Sequence, residues 1–554
     1  MKDYEEIVAF LDQWGCFQKA VFLLLCVSII PNGFGAFNLV FLTDVPDHHC
    51  FIPDLNLSEE WRKSIIPKTV LNGKQELNRC SRYRLDVVQN LSDRGLIPGR
   101  DINLTDLEEE RCVDGWSYST DIYLSTVVTE FDLVCSDQWA QPFTTSVFFI
   151  GVLVGSFFSG QLSDRYGRKP ILFATMAAQA IFTFAQVFST SWTMFVILLF
   201  FNGLGQISNF VAALVLGAEV LTGNVRILYS SMGTCLGFSV GYILLPVVAY
   251  FLRDWKSLLM ALSLPCLVYI PLWWLLPESP RWLLSRGRVK EAEAVIRKAA
   301  RWNKVQTPTV IFETDSKPSS VLDLFRNSSI RIITVILCLV FAMTTGYFSL
   351  SFNSAQLHAD PYMSCFIAAV VEIPAYVSSW IALRFLPRRL SVSGTLILGS
   401  LPLFILLLVP EDLFGVSLAL EMVGKYAFTT GASLMFAYTT ELYPTSLRNT
   451  ATGTTTTVSR TGSCISPFLL SGYFSFLPYV TIGSLGAVTA FVALLLPETF
   501  KQPLPETLQQ MPERQSGHRK LPQHLKRYGQ SNQVCRRLNM KLIRVRYVIL
   551  TQKA

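Results

Sequence analysis

The sequence predicts an all-α membrane protein with twelve transmembrane helices, arranged as two parallel six-helix repeats with a large extracellular loop. Hydrophobic residues make up 51% of the 554-residue chain and charged residues 16%, a composition outside the usual range of soluble proteins. A helix needs about 20 mostly apolar residues to cross the bilayer core. The predicted spans are residues 20–41, 143–162, 171–188, 192–220, 228–252, 258–276, 330–350, 365–386, 390–409, 414–438, 453–473 and 479–496.

Internal repetition supports the two halves. A Glu and an Arg follow the fourth span, in GAEVLTGNVR, and again follow the tenth, in TELYPTSLR; LPES after the sixth span is matched by LPET after the twelfth. Six helices return the chain to the side it entered, so the halves are parallel repeats, and substrate is expected between them near mid-membrane. The predicted domains are a cytoplasmic N-terminus (1–19), an N-terminal half (20–276) with its extracellular loop (43–141), a cytoplasmic linker (277–329), a C-terminal half (330–497) and a basic cytoplasmic tail (498–554).

Positive charge in the short loops predicts the orientation of the chain. Loops after even-numbered spans carry basic residues, whereas the alternate short loops carry little beyond Arg253 and Lys256. Both termini are therefore expected in the cytoplasm. The charged opening MKDYEEIVAFLDQWG leads into the first span without a small-residue cleavage site, so no cleavable signal peptide is expected.

The extracellular loop has the features of an oxidising compartment. Its three Asn-x-Ser/Thr sequons, at Asn56, Asn90 and Asn103, predict glycosylation. It also holds an even number of cysteines, which predicts two disulfides and leaves three pairings open. The disulfide candidates are Cys50, Cys80, Cys112 and Cys135.

One enzyme hypothesis comes from the letters DHHC at residues 47–50, which mark protein acyltransferases. That activity needs a cytosolic zinc domain with ligands spaced as CxxC or CxxH, and no such framework surrounds this motif. The motif also falls on the predicted extracellular side. We therefore expect a disulfide at Cys50 and no enzymatic activity.

The stretch GQLSDRYGRKP, between the second and third spans, concentrates charge at two helix ends. Basic residues there can engage helix-end carbonyls, and Asp164 can pair with an Arg from a neighbouring helix end. Gly160 and Gly167 are expected to permit a close helix approach and a tight turn. Repetition of charge at matched helix ends predicts a cytoplasmic gate that locks the two halves together, formed by Asp164, Arg165, Arg168, Glu219, Arg226, Glu441 and Arg448.

Several motifs together resemble one transporter family. GQLSDRYGRKP resembles the signature loop of the major facilitator superfamily, and PESPRWLLSRGR and TELYPTSLRN are similar to its organic ion transporter branch. SIIPNGF, GQISNFVAALVLGAE and VEIPAY resemble the organic cation/carnitine transporters, and the similarity runs to about Pro505. The resemblance implies the major facilitator fold and a multi-pass protein of the plasma membrane. The tail ends in VILTQKA, unlike the scaffold-binding end usual in that group, so the tail does not predict a scaffold partner. No nucleic-acid partner is expected.

Charged residues inside membrane spans are costly and are functional candidates by default. Arg460, in TTTTVSRTGS of the eleventh span, lies about twelve residues after Arg448 and so near mid-membrane. Its guanidinium can bind a carboxylate through two hydrogen bonds. In similar transporters of simple cations an acidic residue is expected here, so the resemblance implies a substrate with a carboxylate. In the tenth span, Glu421 and Lys425 are one helical turn apart and are expected to neutralise one another.

A quaternary ammonium group on the same substrate would bind aromatic rings by cation–π attraction. A single aromatic residue in a membrane helix is more often packing than part of such a cage. As a set, the candidates lie in helices that line the cavity in related transporters: Phe210 beside Asn209, Phe238, Tyr242, Tyr347 with Phe348, Phe436 and Tyr438.

Polar amides in the first, third and fourth spans are candidates for binding sodium, a hard cation that prefers oxygen ligands. Backbone carbonyls near Pro31 and Gly33 could join them. Hydrogen bonding between helices is the alternative, and the family resemblance favours sodium. The predicted sodium ligands are Asn32, Gln179 and Gln206, with Asn209 beside them.

Together these features predict a sodium-coupled transporter that takes up carnitine, or a similar zwitterionic quaternary ammonium compound, by alternating access. Ergothioneine is a second zwitterion that would suit the same site. Sodium is the coupling ion, and no other cofactor is expected. The alternative within transport is a sodium-independent facilitator of organic cations such as tetraethylammonium.

Overall fold

A bundle of long helices forms most of the chain, and a small folded region is inserted after the first of them. The structure is a computed structural model. It describes residues 7–11, 14–53, 57–71, 74–265, 269, 271–308, 330–356, 360–410, 413–442, 448–470 and 476–500.

The predicted spans are helical. Within the described residues, six helical segments are long and apolar enough by themselves to cross a membrane. The other spans are shorter, more polar or interrupted. In chain order the helices are α1 (Cys16–Phe37), α2 (Leu39–Leu42), α3 (Glu59–Ser64), α4 (Leu85–Asp93), α5 (Val127–Glu130), α6 (Ala140–Tyr166), α7 (Arg168–Gln186), α8 (Trp192–Val220), α9 (Gly223–Leu228), α10 (Thr234–Phe251), α11 (Trp255–Ser263), α12 (Leu272–Leu275), α13 (Pro280–Ser285), α14 (Val289–Asn303), α15 (Ile330–Gln356), α16 (Pro361–Val370), α17 (Glu372–Phe385), α18 (Arg388–Leu406), α19 (Phe414–Leu442), α20 (Arg448–Leu470) and α21 (Leu477–Ala493).

Polar side chains cap the starts of several helices. Ser191 caps α8, Asp254 caps α11 and Asp360 caps α16, each by accepting a hydrogen bond from a backbone N–H in the first turn. Pro361 follows the last of these caps at the first helical position, where no N–H is needed. These residues therefore determine where the helices begin.

Several predicted spans are not single helices: residues 20–41 fall in α1 and α2, and residues 258–276 include α11 and α12. Two further spans are also divided. Residues 228–252 begin with a π-helical turn, Tyr229–Gly233, before α10. Residues 365–386 form α16 and α17, which are separated at Val371. Pro374 lacks the N–H that would continue the helix across this point, so the helix is interrupted in the middle of the span.

Glycines allow α1 and α10 to cross closely. A Cβ atom at Gly241 would lie 2.0 Å from the carbonyl oxygen of Ile30, and one at Gly33 would lie 2.2 Å from that of Phe238. Any larger residue at either position would force the backbones apart. This crossing places the end of α1 beside the middle of α10.

The helices form an N-terminal half, α1 to α14, and a C-terminal half, α15 to α21. Contacts between the halves include those of α6 with α20 and of α10 with α16. Phe41 stacks on Tyr362 at 5.4 Å, and Phe149 packs against Phe348 at 4.8 Å. We call this interface, on the side of the inserted loop region, the aromatic seal: Phe37, Phe41, Phe149, Phe348, Phe352 and Tyr362.

The loop region between α2 and α6 is held by small hairpins and two disulfides. Cys50 pairs with Cys112, and Cys80 pairs with Cys135, which selects one of the three possible pairings. Cys50 is therefore a disulfide cysteine, as predicted. The strands pair antiparallel as β1 with β6, β2 with β3 and β4 with β5, and they are β1 (His48–Cys50), β2 (Lys68–Leu71), β3 (Lys74–Leu77), β4 (Ser81–Tyr83), β5 (Glu109–Arg111) and β6 (Trp116–Tyr118).

A buried arginine organises the same region. Arg82 donates to Glu110 at 2.9 Å, to Asp114 and to the carbonyl oxygen of Phe51, and its side chain is 2% exposed. Asn90 and Asn103 are exposed, as glycan acceptors must be, whereas Asn56 lies outside the described residues.

The disulfide pairing makes a testable prediction. Replacing Cys80 by Ser should lower the melting temperature of the purified protein, because closing a loop of this size stabilises a fold by about 3–5 kcal/mol. The Cys80→Ser/Cys135→Ser double variant should melt like the single variant, whereas Cys80→Ser/Cys112→Ser should lose both bridges and melt lower. Equal melting temperatures for the two double variants would show that the pairing is different.

Candidate functional site

Glu372, the first residue of α17, lies inside the bundle and contacts the other half. Its carboxylate is fully buried. Tyr347 of α15 donates to it at 2.6 Å, and Ser239 of α10 donates to it at 3.0 Å. Glu372 therefore joins α10 of the N-terminal half to α15 and α17 of the C-terminal half.

Lys425 of α19 is the cationic partner of Glu372. Its Nζ lies 3.7 Å from a Glu372 carboxylate oxygen, and both side chains are fully buried. Nζ also donates to the Tyr242 hydroxyl at 3.1 Å. The distances from Nζ to the ring centroids are 4.5 Å for Tyr242, 5.7 Å for Phe37 and 5.8 Å for Tyr347. Three aromatic rings and one carboxylate thus surround a single cation, and we call this group the cage: Phe37, Tyr242, Tyr347 and Glu372.

The expected ion pair between Glu421 and Lys425 is wrong: Lys425 pairs with Glu372, and Glu421 has a different partner. Glu421 accepts a hydrogen bond from the Asn353 side chain, which also donates to the Tyr479 hydroxyl at 2.7 Å. Its second carboxylate oxygen is buried and has no hydrogen-bond partner among the described residues. The long-range partner Glu372 has replaced the local one, because α17 approaches α19 inside the bundle.

Arg460 lies in α20, beside this group. Its guanidinium is within electrostatic reach of the Tyr347 hydroxyl and the Cys464 thiol. Nε is buried and has no hydrogen-bond partner within the described part of the chain, and no carboxylate there forms an ion pair with the side chain. Arg460 is partly exposed. A buried N–H without an acceptor, such as that of Arg460 Nε, is costly, so this group is suited to an anionic ligand.

The predicted aromatic set is divided by the structure. Tyr242 and Tyr347 belong to the cage, and Phe238 packs against Phe37 at 6.1 Å. Tyr438 instead donates to the carbonyl oxygen of Pro497, at the far end of the bundle. Its assignment to the substrate site is therefore wrong.

Two further aromatic candidates lie apart from the cage. Phe436 is 40% exposed and makes no described ring contact with the cage. Phe210 packs at the edge of a separate apolar cluster, which includes residues of α1, α7 and α8.

The four amides proposed for sodium do come together. Gln206 donates to the carbonyl oxygen of Asn32 at 2.6 Å, Gln179 donates to that of Pro31 at 3.4 Å, and Asn209 donates to the Asn32 side chain at 3.4 Å. The side-chain oxygens of Gln206 and Asn209 are buried without a hydrogen-bond partner among described residues. The cluster thus contains the expected interhelical hydrogen bonds and also retains unused oxygen ligands.

At the opposite end of the bundle from the loop region lie two matching charge networks. In the first, Arg168 binds Glu219 through two hydrogen bonds of 2.9 and 3.1 Å and also binds Asp164. The backbone N–H groups of Arg168 and Lys169 donate to Glu278. Burial raises the pKa of the Glu278 carboxyl above its ordinary range, and these backbone donors oppose that shift by favouring the charged form.

The second network repeats the first in the C-terminal half. Arg388 binds Glu441 at 2.9 and 3.0 Å, and the N–H groups of Arg388 and Arg389 donate to Glu498. The motif repeat in the sequence therefore corresponds to a repeat in structure. Each ion pair described within these two networks joins helices of one half. The locking of the two halves, for which Arg226 and Arg448 are also candidates, stays a prediction.

The remaining gate candidates have separate fates. Arg165 is exposed, with its guanidinium 5.5 Å from the Tyr166 ring. The side chain of Arg448 lies outside the described residues, and that of Arg226 is half-buried. Gly167 has φ +109° and forms the tight turn as predicted. A Cβ atom at Gly160 would have no neighbour within 4 Å among the described residues, so its expected role in close approach is wrong.

The sequence reasoning missed Glu372, Phe37 and Ser239 as members of the site. Glu372 was visible as the acidic residue of VEIPAY, within an apolar span and two residues before a proline. That combination of a charge and a helix breaker in a span was the available signal. Nothing in the local pattern around Phe37 or Ser239 distinguished them from packing residues.

Comparison with known proteins identifies the fold and family. The sequence model of the Major Facilitator Superfamily matches residues 134–467. Organic cation/carnitine transporter 2 of Mus musculus is 49% identical to this chain, over 92% of this chain and 94% of its own length. The Homo sapiens protein of the same name is 48% identical over 95% and 97%. The chain belongs to the organic cation/carnitine transporters of the major facilitator superfamily. It is a multi-pass membrane transporter and not an enzyme.

Solved structures show the same fold. The proton:xylose symporter XylE bound to 6-bromo-6-deoxy-D-glucose superposes on this transporter with a TM-score of 0.57 at 15% identity, covering 88% of this chain and 98% of that chain. An inward open conformation of XylE from E. coli gives a TM-score of 0.57 at 14% identity. The predicted major facilitator fold is therefore confirmed.

The charge networks make a prediction with an internal control. Arg168 has two acidic partners, of which Glu219 is 16% exposed and Asp164 is 68% exposed. Glu219→Gln should lower the melting temperature of the purified transporter clearly, because it leaves a buried guanidinium without its main partner at a cost of about 3–5 kcal/mol. Asp164→Asn should change it little, since exposed pairs contribute only about 0–1 kcal/mol. A similar loss in both variants would contradict this account.

Proposed function

We propose that the chain is a plasma-membrane symporter that couples sodium entry to uptake of carnitine, or of a similar zwitterion such as ergothioneine, by alternating access. Relatives that align along most of the chain are named for organic cations and carnitine. The substrate binds between the two halves, where Arg460 and the cage lie. The sequence motifs, the names of these relatives and the charge distribution of the site support a zwitterionic substrate.

The charges of the site match those of carnitine. The molecule carries a carboxylate and a quaternary ammonium group at opposite ends, and the site offers the Arg460 guanidinium and the Glu372 carboxylate, both of which interact with Tyr347. A substrate carboxylate would complete the hydrogen bonding of Arg460 through two charge-assisted bonds. The aromatic rings of the cage suit a methylated cation. The lack of an acidic partner for Arg460 among the described residues is the observation that carries the proposal.

Substitution of Arg460 tests the proposal directly. Deleting one member of a buried charge pair costs on the order of 3–5 kcal/mol, which is more than about a hundredfold in affinity. Arg460→Ala should therefore nearly abolish carnitine uptake per surface molecule, and Arg460→Lys should restore it only in part, since an ammonium lacks the planar fork. Uptake of radiolabelled carnitine, normalised to surface protein, measures both effects.

A cation without a carboxylate provides the control. Tetraethylammonium gains nothing from Arg460, so its uptake should survive or rise in Arg460→Ala. Arg384→Ala, which removes an exposed arginine at the end of α17, should alter neither substrate. Equal loss of both substrates at normal surface abundance would assign Arg460 a structural role and favour a sodium-independent facilitator of organic cations.

The topology follows from the same proposal. We place the loop region outside the cell, and the two charge networks and both termini in the cytoplasm. The disulfides and the exposed sequon residues Asn90 and Asn103 are consistent with this side. The aromatic seal then closes the extracellular entrance, and uptake requires the halves to separate there and close at the cytoplasmic end.

Sodium coupling is assigned to the amide cluster. Unused oxygens of Gln206 and Asn209 lie beside the carbonyl oxygens of Pro31 and Asn32. Oxygen ligands of this kind suit a hard cation. The cluster joins α1 to α8, and α1 ends at the cage residue Phe37. A bound sodium ion would therefore stabilise the helix that carries part of the substrate site.

The sodium assignment makes its own prediction. Gln206→Leu and Gln179→Leu should each raise the sodium concentration for half-maximal carnitine uptake by about tenfold, equivalent to ~1.4 kcal/mol. Gln186→Leu is the matched control, because Gln186 is a buried amide two turns along the same helix as Gln179. Carnitine uptake that persists unchanged when N-methylglucamine replaces sodium in a choline-free buffer would contradict sodium coupling itself.

A further inference from the structure

The cage encloses the Lys425 ammonium, although its aromatic rings and carboxylate are better suited to a quaternary ammonium group. Lys425 carries a primary ammonium with three N–H donors, yet its described hydrogen bonding is one bond to Tyr242 at 3.1 Å. The Glu372 oxygen is at 3.7 Å, beyond hydrogen-bond distance. Three aromatic rings also lie within 6 Å of the ammonium. Such a pocket satisfies a quaternary ammonium, which has no N–H groups to satisfy, better than it satisfies a lysine.

Glu372 does not depend on Lys425 alone. Tyr347 and Ser239 donate hydrogen bonds to its two oxygens from neutral groups. These bonds can persist if the lysine leaves and another cation takes its place. Glu372 can therefore pair with a different cation while it keeps the hydrogen bonds from Tyr347 and Ser239.

A second acceptor for the lysine lies on the same helix. Glu421 is one turn before Lys425 on α19, a spacing at which side chains can meet. It is fully buried, and its Oε2 has no hydrogen-bond partner within the residues described. An unsatisfied buried carboxylate oxygen is costly, so a cation that arrives there is stabilised.

We propose that Lys425 is a tethered cation that occupies the ammonium subsite when substrate is absent, and that the substrate's ammonium group displaces it from Glu372 to Glu421. The inference rests on the proposed function, since it requires a substrate with an ammonium group. After the exchange both buried carboxylates have a cation: the substrate cation neutralises Glu372 while Lys425 neutralises Glu421. No covalent step is involved.

The exchange gives Lys425 a role in specificity. A simple cation that enters the cage must displace the lysine and also remains close to Arg460, whose charge it does not neutralise. A zwitterion supplies the cation for the cage and the carboxylate for Arg460 together. Lys425 and Arg460 therefore both disfavour cations that lack a carboxylate.

Binding of radiolabelled tetraethylammonium to the purified full-length protein tests the exchange. Lys425→Met removes the internal competitor, so tetraethylammonium should bind about tenfold more tightly. Glu421→Gln removes the acceptor for the displaced lysine, so binding should weaken about tenfold. The double variant should bind like Lys425→Met, because Glu421 acts only through Lys425. Lys298→Met, which removes a lysine packed on Trp302 in α14, is the matched control and should bind like wild type.

The exchange also predicts how Lys425→Met changes the stability of the protein. Lys425→Met leaves Glu372 without a cation, so the ligand-free protein should melt at a lower temperature while tetraethylammonium raises its melting temperature more than in wild type. Lys425→Gln, which can still donate to Tyr242, replaces this variant if it does not fold. Unchanged tetraethylammonium affinity in the folded variant, or additive effects in the double variant, would overturn the exchange. If wild type binds no carnitine, the proposed function fails; if it binds carnitine while the variants behave as wild type, only the exchange fails.

Discussion

A charge within the hydrocarbon thickness of a membrane must be paired or hydrogen-bonded, and this requirement determines the interior of the transporter. Most of the bundle surface is apolar and gives helices little reason to choose one neighbour over another. The pair of Glu372 and Lys425 joins α17 to α19 and, through Ser239, the C-terminal half to α10. At the cytoplasmic end of the proposed topology, Arg168 and Arg388 perform the same task within each half. Arg460 departs from this pattern, and that departure is the basis for the proposed substrate carboxylate.

The binding site and the aromatic seal share a residue. Phe37 stacks on Tyr242 at 4.0 Å in the cage and also packs against Phe352 at 5.7 Å in the seal. A ligand that moves the cation out of the cage changes the surroundings of this ring. The cage and the aromatic seal are therefore connected by direct contact. In the proposed alternating-access cycle, this contact would link ligand binding to closure of the entrance beside the loop region.

The fold was predictable because its signals are local and additive. Hydropathy identified each span, and repeated motifs around Glu219 and Glu441 identified the two halves. Arg460 is a candidate for the same reason, since a charge in an apolar segment is visible without knowing its neighbours. The pairing of Lys425 was not predictable in this way. The local spacing favoured Glu421, and the true partner, Glu372, lies on another helix and is brought near only by packing. Tyr438 was misassigned because aromatic composition does not reveal depth, and its hydroxyl binds Pro497 at the end of the bundle.

A structure of the transporter with carnitine bound measures the central claim most directly. The account predicts the substrate carboxylate on the Arg460 guanidinium, the trimethylammonium group between Tyr242 and Tyr347, and the Lys425 ammonium moved to Glu421. A carnitine carboxylate bound away from Arg460, with Lys425 still beside Glu372, would contradict it.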